Sequence, residues 1–191
     1  MNRHDTELLE GQLRAAGLQS APDSEQADLV LLKTCSVRER PVQKIVSRIG
    51  MLEKLANPPV IAVCGCVAQQ EGESLLRRSD RVGFVLGPGQ IGRIDEALRA
   101  VEQGGRPVLT GFDPEREHNF QTVFRKSSTR GMVTVIEGCN EFCTFCIVPY
   151  TRGREISRTS ESVVREVRLL ASTGLKEVEL LGQTINAYQC P

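Results

Sequence analysis

Three cysteines within one short stretch constrain this chain more than any other feature of its sequence. Cys139, Cys143 and Cys146 form a C-x3-C-x2-C array, a spacing that lets one loop turn three thiolates toward a common centre. Three soft thiolates at close range suit zinc or an iron–sulfur cluster. A closed zinc site or an ordinary cluster uses a fourth protein ligand, and no Cys or His follows within easy local reach. Three ligands on a four-iron cluster would leave one iron open for chemistry.

Two simpler interpretations of the same cysteines stay open from the residues alone. The three thiols can form a zinc knuckle, or they can be buried side chains, since free cysteine often behaves as a small apolar residue. The lack of a nearby fourth ligand counts against the zinc site.

Composition indicates an ordinary globular chain and excludes some classes. Hydrophobic residues make up 40% and charged residues 25% of the 191 residues, which is typical of folded domains. No run of about 18 apolar residues occurs, so we expect no transmembrane helix, and the polar start is unlike a signal peptide. Clustered cysteines without an export signal favour metal ligation in a reducing, cytoplasmic compartment. Lys plus Arg equals Asp plus Glu at 24 each, so charge does not indicate nucleic-acid binding.

Apolar periodicity predicts alternating helices and strands in residues 1–111. Short apolar runs predict buried parallel strands over 29–32, 60–63 and 82–86. Helical spacing predicts helices over 5–16, 41–52, around 72–77 and over 91–101. This alternation is typical of an α/β domain built on a parallel sheet.

The sequence pattern of residues 112–191 predicts a linker followed by a second domain. Residues 112–131 lose periodicity and are interpreted as the linker. In residues 132–191, a strand over 132–137 runs into the cysteine loop, a helix extends from Ser160 to Gly174, and a second strand covers 177–181. Strand, loop, helix and strand form one βαβ unit.

Two further cysteines follow neighbouring predicted strands. Cys35 and Cys66 come after the first and second strands, and parallel strands end at one edge of a sheet, where ligand sites gather. The two thiols can therefore share a metal, although ordinary buried thiols remain the alternative. Cys64 is expected to be buried in its strand, and Cys190 has no predicted partner.

The segments around the cysteines carry a resemblance to a known family. The C-x3-C-x2-C array with Phe145 before its last cysteine resembles the signature of the radical S-adenosylmethionine (SAM) enzymes. Glu-Gly-Cys-Asn at 137–140, Val-Pro-Tyr-Thr-Arg-Gly-Arg-Glu at 148–155 and Leu-Leu-Gly-Gln-Thr-Ile-Asn at 180–186 are similar to the methylthiotransferases. Within that family the match is nearest to the branch that acts on N6-dimethylallyladenosine in tRNA.

The resemblance implies a fold and two metal centres. The fold is an amino-terminal methylthiotransferase domain followed by the start of a partial (β/α) barrel. Cys139, Cys143 and Cys146 would hold a SAM-binding 4Fe–4S cluster. Residues 34–39 and 65–69 match the motifs in which Cys35 and Cys66 would hold an auxiliary 4Fe–4S cluster. The family's third auxiliary ligand precedes a Met-Asn pair that here opens the chain, so that ligand is absent, and both ends are expected to be truncated relative to the family.

The resemblance also implies an activity and partners. The enzyme would be a radical SAM transferase that adds a methylthio group to C2 of N6-dimethylallyladenosine next to the tRNA anticodon. It would use SAM and two clusters, receive electrons from a flavodoxin- or ferredoxin-type protein, bind no membrane and act as a monomer. No catalytic side chain is assigned.

Five other residues are candidates for the vicinity of SAM. Phe145 would pack near the SAM adenine or fill the core beneath the loop. Arg152, like Arg154, would meet SAM or phosphate, or lie on a solvated surface. Gly182 and Gln183 end the second barrel strand, with Asn186 nearby, at an edge that carries function in barrel folds; simple turn chemistry is the alternative.

Two other functions remain open from the sequence. A sister methylthiotransferase would act on threonylcarbamoyladenosine in tRNA or on a ribosomal-protein aspartate. An incomplete chain would bind iron and sulfur without catalytic activity.

Overall fold

The computed structural model describes residues 2–36, 40–112 and 129–191. These residues divide into two compact units, one formed by residues 2–11 with 129–191 and the other by residues 12–36 with 40–112. Most of the predicted linker lies outside the described residues, and the division at 111 and 131 stays a prediction. Within the described ranges, no helix combines the length and apolar character needed to cross a bilayer.

The unit of residues 12–36 and 40–112 is built on a four-stranded parallel sheet in the order β1-β2-β3-β4. Its strands are β1 (Leu29–Thr34), β2 (Val60–Gly65), β3 (Val82–Leu86) and β4 (Val108–Leu109). Its complete helices are α2 (Pro41–Leu52), α3 (Cys66–Glu71), α4 (Glu73–Arg78) and α5 (Ile94–Glu102), with a 3-10 helix at Pro88–Arg93. The predicted α/β class and parallel sheet are confirmed.

Burial explains why these apolar runs form the sheet. Strand β3 is buried at every residue and β2 at every residue after Val60, as expected for central strands of a parallel sheet. The spaced apolar residues of α2, Ile45, Ile49 and Leu52, pack in the same cluster as Ile61 and Val63 of β2. Strands β1 and β2 pair in parallel from Leu29 with Val60 to Thr34 with Gly65, which places the residues that follow them side by side.

The structure differs from the sequence prediction in two local features of this unit. The helix expected around 72–77 is α4, and it is preceded by an unpredicted helix, α3, from which it is separated at Gly72, whose φ of +49° interrupts the helical path. Strand β4 has two residues, too few for alternation to reveal it.

The unit of residues 2–11 and 129–191 contains the predicted βαβ arrangement. Strand β5 (Arg130–Thr134) pairs in parallel with β8 (Glu177–Leu181), and α7 (Ser160–Ser172) lies between them in sequence. The strand predicted over 132–137 is split at Val135, because β6 (Ile136–Glu137) pairs antiparallel with β7 (Ile156–Ser157). A short helix, α6 (Val148–Arg152), follows the cysteine loop. The βαβ prediction is confirmed, with β6, β7 and α6 as additions.

Helix α1 (Asn2–Ala15) contributes residues 2–11 to this unit. It begins earlier than the predicted 5–16, and Gly17 follows it with a φ of +88°, as expected for a helix end. Leu9 is buried, and so are the polar residues His4, Asp5 and Glu7.

Candidate metal centres

The cysteine loop begins at Gly138, directly after β6. Gly138 has a φ of +79°, and a Cβ at this position would lie 2.6 Å from the Gly153 carbonyl oxygen and overlap that of Arg154. The next residue, Cys139, donates its backbone N–H to the same Gly153 oxygen at 3.1 Å. Glycine is required here both for the left-handed backbone and for this close approach.

Two side chains from outside the loop hold its first residues. The Gly138 N–H donates to Gln183 Oε1 at 2.7 Å. The Asn140 N–H and Nδ2 donate to the two oxygens of Glu155 at 3.1 and 3.3 Å, and the Glu155 N–H donates to Asn140 Oδ1 at 3.3 Å. Gln183 was a candidate from its motif, whereas Glu155 was not, although it lies in the matched segment 148–155.

The three loop thiols differ in their surroundings. Cys139 is 9% exposed, Cys146 is half-buried and Cys143 is exposed. Cys139 Sγ lies 3.2 Å from Thr184 Oγ1, and the Cys146 N–H donates to the Cys143 carbonyl at 2.9 Å. Across the described ranges, no group of three His, Cys, Asp or Glu side chains is placed to hold one metal ion. The assignment of these cysteines as ligands therefore stays a prediction.

The aromatic residues of the loop lie at the surface. Phe145 is 91% exposed, so the expectation that it fills the core beneath the loop is wrong. Phe142 makes an edge-on contact with Tyr150 at 5.9 Å between ring centroids, and the Arg154 guanidinium lies 5.1 Å from its ring. The Phe142 and Tyr150 rings thus form a small cluster, with the Arg154 cation above the Phe142 ring.

Arg152 is buried, which corrects the expected solvated surface position. Its guanidinium pairs with the Asp5 carboxylate of α1 at 2.5 Å, with both side chains below a tenth exposed. In this enclosed ion pair, the Asp5 carboxylate compensates the positive charge of Arg152 within the unit. Contact with SAM or phosphate stays untested, and the pair identifies a structural role for the residue.

The three candidates at the end of β8 play different parts. Gly182 lies so close to Ile136 that a Cβ would overlap the Ile136 side chain, which brings this turn against β6. Gln183 binds the loop backbone as described. Asn186 is exposed in a 3-10 turn at Ile185–Ala187. Sequence reasoning also missed Thr184, which lies in the middle of the same motif and contacts Cys139.

Cys35 and Cys66 follow residues that are direct partners in the sheet. Thr34 pairs with Gly65 at the ends of β1 and β2, so the two cysteines emerge from adjacent strands at one edge. Gly65 has a φ of +97°, and a Cβ there would lie 2.5 Å from the Thr34 carbonyl oxygen. The Thr34 hydroxyl donates to the Cys64 carbonyl at 2.9 Å and accepts the Val67 N–H at 3.1 Å. The expectation that both cysteines lie at the same edge is confirmed.

Cys64 is a poor candidate for a replacement ligand at that edge. It is fully buried in β2, and burial raises the pKa of its thiol to about 12, against the opposing effect of the Lys33 charge. The thiolate is the form that binds metal. Cys190, by contrast, is exposed, and its hydrogen bond with the Ser160 hydroxyl lowers the pKa of its thiol.

Comparison with known proteins agrees with this arrangement. Residues 1–87 match the model of an uncharacterized protein family, UPF0004, and residues 133–189 match that of the radical SAM superfamily. The chain is 41% identical over 194 aligned residues to a tRNA-2-methylthio-N(6)-dimethylallyladenosine synthase of Koribacter versatilis, with 100% of the chain and 44% of that protein covered. The chain is therefore similar, over its whole length, to less than half of a protein with this name.

Two further relatives of this chain carry the same name. The protein of Solibacter usitatus is 42% identical, with 100% of the chain and 43% of the relative covered. That of Jannaschia sp. is 43% identical, with 98% and 42% covered. The chain thus spans less than half the length of the curated relatives it matches.

Proposed function

We propose that this chain is the part of a radical SAM tRNA methylthiotransferase that carries five cysteine ligands of its two metal centres. One observation carries the proposal: over 98–100% of its length the chain is 41–43% identical to proteins named tRNA-2-methylthio-N(6)-dimethylallyladenosine synthase. The activity of the complete enzyme is methylthio transfer to C2 of N6-dimethylallyladenosine next to the anticodon.

The donor set of the loop fits a 4Fe–4S cluster. Cys139, Cys143 and Cys146 are free thiols in one loop, and soft thiolates are the ligands such clusters use. When bound, the cluster would supply the electron for SAM cleavage, chemistry that belongs to the cofactors. The polypeptide's part is to hold the loop: Gln183 and Glu155 fix its first residues. Assembly has to bring the two outer sulfurs toward Cys139, in line with the coupling of metal binding to folding.

An auxiliary cluster at Cys35 and Cys66 completes the proposal of two centres. The sheet pairing of Thr34 with Gly65 places Cys35 and Cys66 on adjacent strands, which supports a metal centre shared by the two cysteines. Two thiolates hold a cluster more weakly than three, and the complete burial of Cys64 within β2 disfavours it as the third. We assign residues 1–111 to this domain, 112–131 to the linker and 132–191 to the start of the SAM domain.

The partners proposed for the complete enzyme follow from the family. They are tRNA, which is part of the relatives' printed name, and a flavodoxin- or ferredoxin-type reductant. The proposed location is cytoplasmic and the proposed state is a monomer. The balanced charge of the chain gives no independent support for tRNA binding.

Iron content after anaerobic reconstitution tests the loop assignment. We expect Cys143→Ala to lose the loop cluster, roughly four irons per chain, because one of its three ligands is gone. Cys190→Ala is the matched control, since both side chains are exposed and neither substitution disturbs the core. Unchanged iron in Cys143→Ala, measured beside an equally folded control, would reject the ligand assignment.

A further inference from the structure

The sulfur of Cys139 has a hydroxyl neighbour from the far end of the unit. Thr184 Oγ1 lies 3.2 Å from Cys139 Sγ, across 45 residues of sequence. Cys139 is 9% exposed and Thr184 is half-buried, so bulk water competes little for this contact. We propose that Thr184 is a positioning residue, a proposal that rests on the proposed function. Its hydroxyl donates a hydrogen bond to the Cys139 sulfur, and this bond raises the reduction potential of the bound cluster.

The chemistry of a ligated cysteine fixes the direction of this hydrogen bond. Between a thiol and a hydroxyl either atom can donate. A cysteine that ligates a metal is a thiolate and has lost its proton, so it can only accept. The threonine hydroxyl rotates freely enough to supply the proton. In the loaded protein Thr184 is therefore the donor.

The backbone on both sides of the contact is held in place. On the loop side, the Gly138 N–H donates to Gln183 Oε1 at 2.7 Å. These two residues directly precede Cys139 and Thr184 in the sequence. On the other side, the Thr184 carbonyl accepts the Ala187 N–H at 2.9 Å and starts the 3-10 turn. Close packing of Gly182 against Ile136 brings the strand end β8 up to β6. A β-branched side chain on so constrained a backbone has few rotamers, so the hydroxyl stays near the sulfur.

A donor at this sulfur affects the two redox states unequally. Reduction adds one negative charge to the cluster, and the sulfur ligands share it. A hydrogen bond to a charged acceptor is stronger than one to a less charged acceptor, so the bond stabilises the reduced state more. Hydrogen bonds to the sulfurs are among the factors that set cluster potentials. Thr184 thus makes the cluster easier to reduce.

The test compares Thr184→Val with Thr184→Ser in the reconstituted full chain. The readout is the midpoint potential of the loop cluster, from a redox titration followed by electron paramagnetic resonance (EPR). Valine removes the hydroxyl and keeps the branched shape, and we expect the reduction equilibrium to fall about tenfold, ~59 mV for one electron. Serine keeps the hydroxyl and is expected to stay near the wild-type potential. Iron content should be equal in all three proteins.

The outcomes separate this inference from the proposed function. A wild-type chain that assembles no cluster removes the proposed function and the inference together. A wild-type cluster with an unchanged potential in Thr184→Val, or an equal shift in Thr184→Ser, overturns the inference alone. If valine prevents assembly, Thr184→Ala removes the same hydroxyl with less bulk. Loss of the cluster in both variants would make Thr184 a structural residue and would also overturn the inference.

Discussion

Replacing Glu166 with alanine is expected to lower the free energy of unfolding by about 3–5 kcal/mol, because it breaks a buried ion pair from one side. Glu166 on α7 binds Arg158 at 2.6 Å, and their side chains are 1% and 4% exposed. Among the remaining acceptors of the Arg158 guanidinium are the neutral Thr134 carbonyl at 2.9 Å and Ser162 hydroxyl at 2.8 Å. A buried cation left without its carboxylate is the source of the cost.

Because Arg158 contacts several segments of the unit, we expect the loss of its ion pair with Glu166 to destabilise the whole unit. Its backbone N–H donates to the Val135 carbonyl at 2.9 Å, and its own carbonyl accepts the Tyr188 hydroxyl at 2.9 Å. The residue thus connects β7 to the segment between β5 and β6 and to the chain beyond β8. We expect the cysteine loop to lose its support together with this connection.

The matched control lies on the same helix. Glu161→Ala on α7 removes an exposed pair with Arg165 at 3.0 Å, where Glu161 is 84% exposed. Such pairs contribute about 0.2–1 kcal/mol, and a carboxylate in the first turn of a helix contributes about 0.3–1 kcal/mol. Urea denaturation of the two variants gives the comparison. Equal losses in both would contradict the importance of the buried pair.

The second large effect is expected at Gly138. Gly138→Ala places a Cβ against the carbonyl groups of Gly153 and Arg154, so the loop has to shift. A left-handed backbone costs an alanine about 1–2 kcal/mol, and an overpacked contact costs about 1–3 kcal/mol more. We expect a lower unfolding free energy of the iron-free chain and reduced iron uptake on reconstitution.

Gly174→Ala is the control that separates the strain of a left-handed backbone from the steric overlap of an added Cβ. Its φ is +91°, close to that of Gly138, but a Cβ there has nothing within 4 Å. Gly174→Ala should therefore cost only the ~1–2 kcal/mol of the left-handed backbone and leave iron uptake unchanged. The close-packing interpretation would fail if both alanine variants showed the same destabilisation and the same iron content.

Periodic apolar patterns made much of the fold predictable. Residues 29–32, 60–63 and 82–86 are apolar runs, and each is a strand of the parallel sheet. On α7 the spaced residues Val163, Val167 and Leu170 pack in the core, whereas the neighbouring Val164 is exposed. The cysteines at 35 and 66 could be placed at one edge because parallel strands share their carboxyl ends.

Apolar patterns could not predict the very short strands or the contacts between residues that are distant in sequence. Strands β6 and β7 have two residues each, so neither shows an alternation. The burial of Arg152 depends on Asp5, 147 residues earlier, a partner that no local pattern identifies. The neighbour of Cys139 is likewise a residue from beyond the other strand of the βαβ unit. Tertiary contacts, not local sequence, decide the surroundings of these charges and thiols.

The most direct test of the proposed SAM centre is the EPR spectrum of the reduced, reconstituted chain before and after addition of SAM. The variant Cys35→Ala/Cys66→Ala is the protein to use, because it leaves Cys139, Cys143 and Cys146 as the proposed cluster ligands. If these three cysteines leave one iron open, SAM is expected to bind there and change the spectrum. A cluster whose spectrum does not respond to SAM, or a variant that takes up no iron at all, would contradict the assignment.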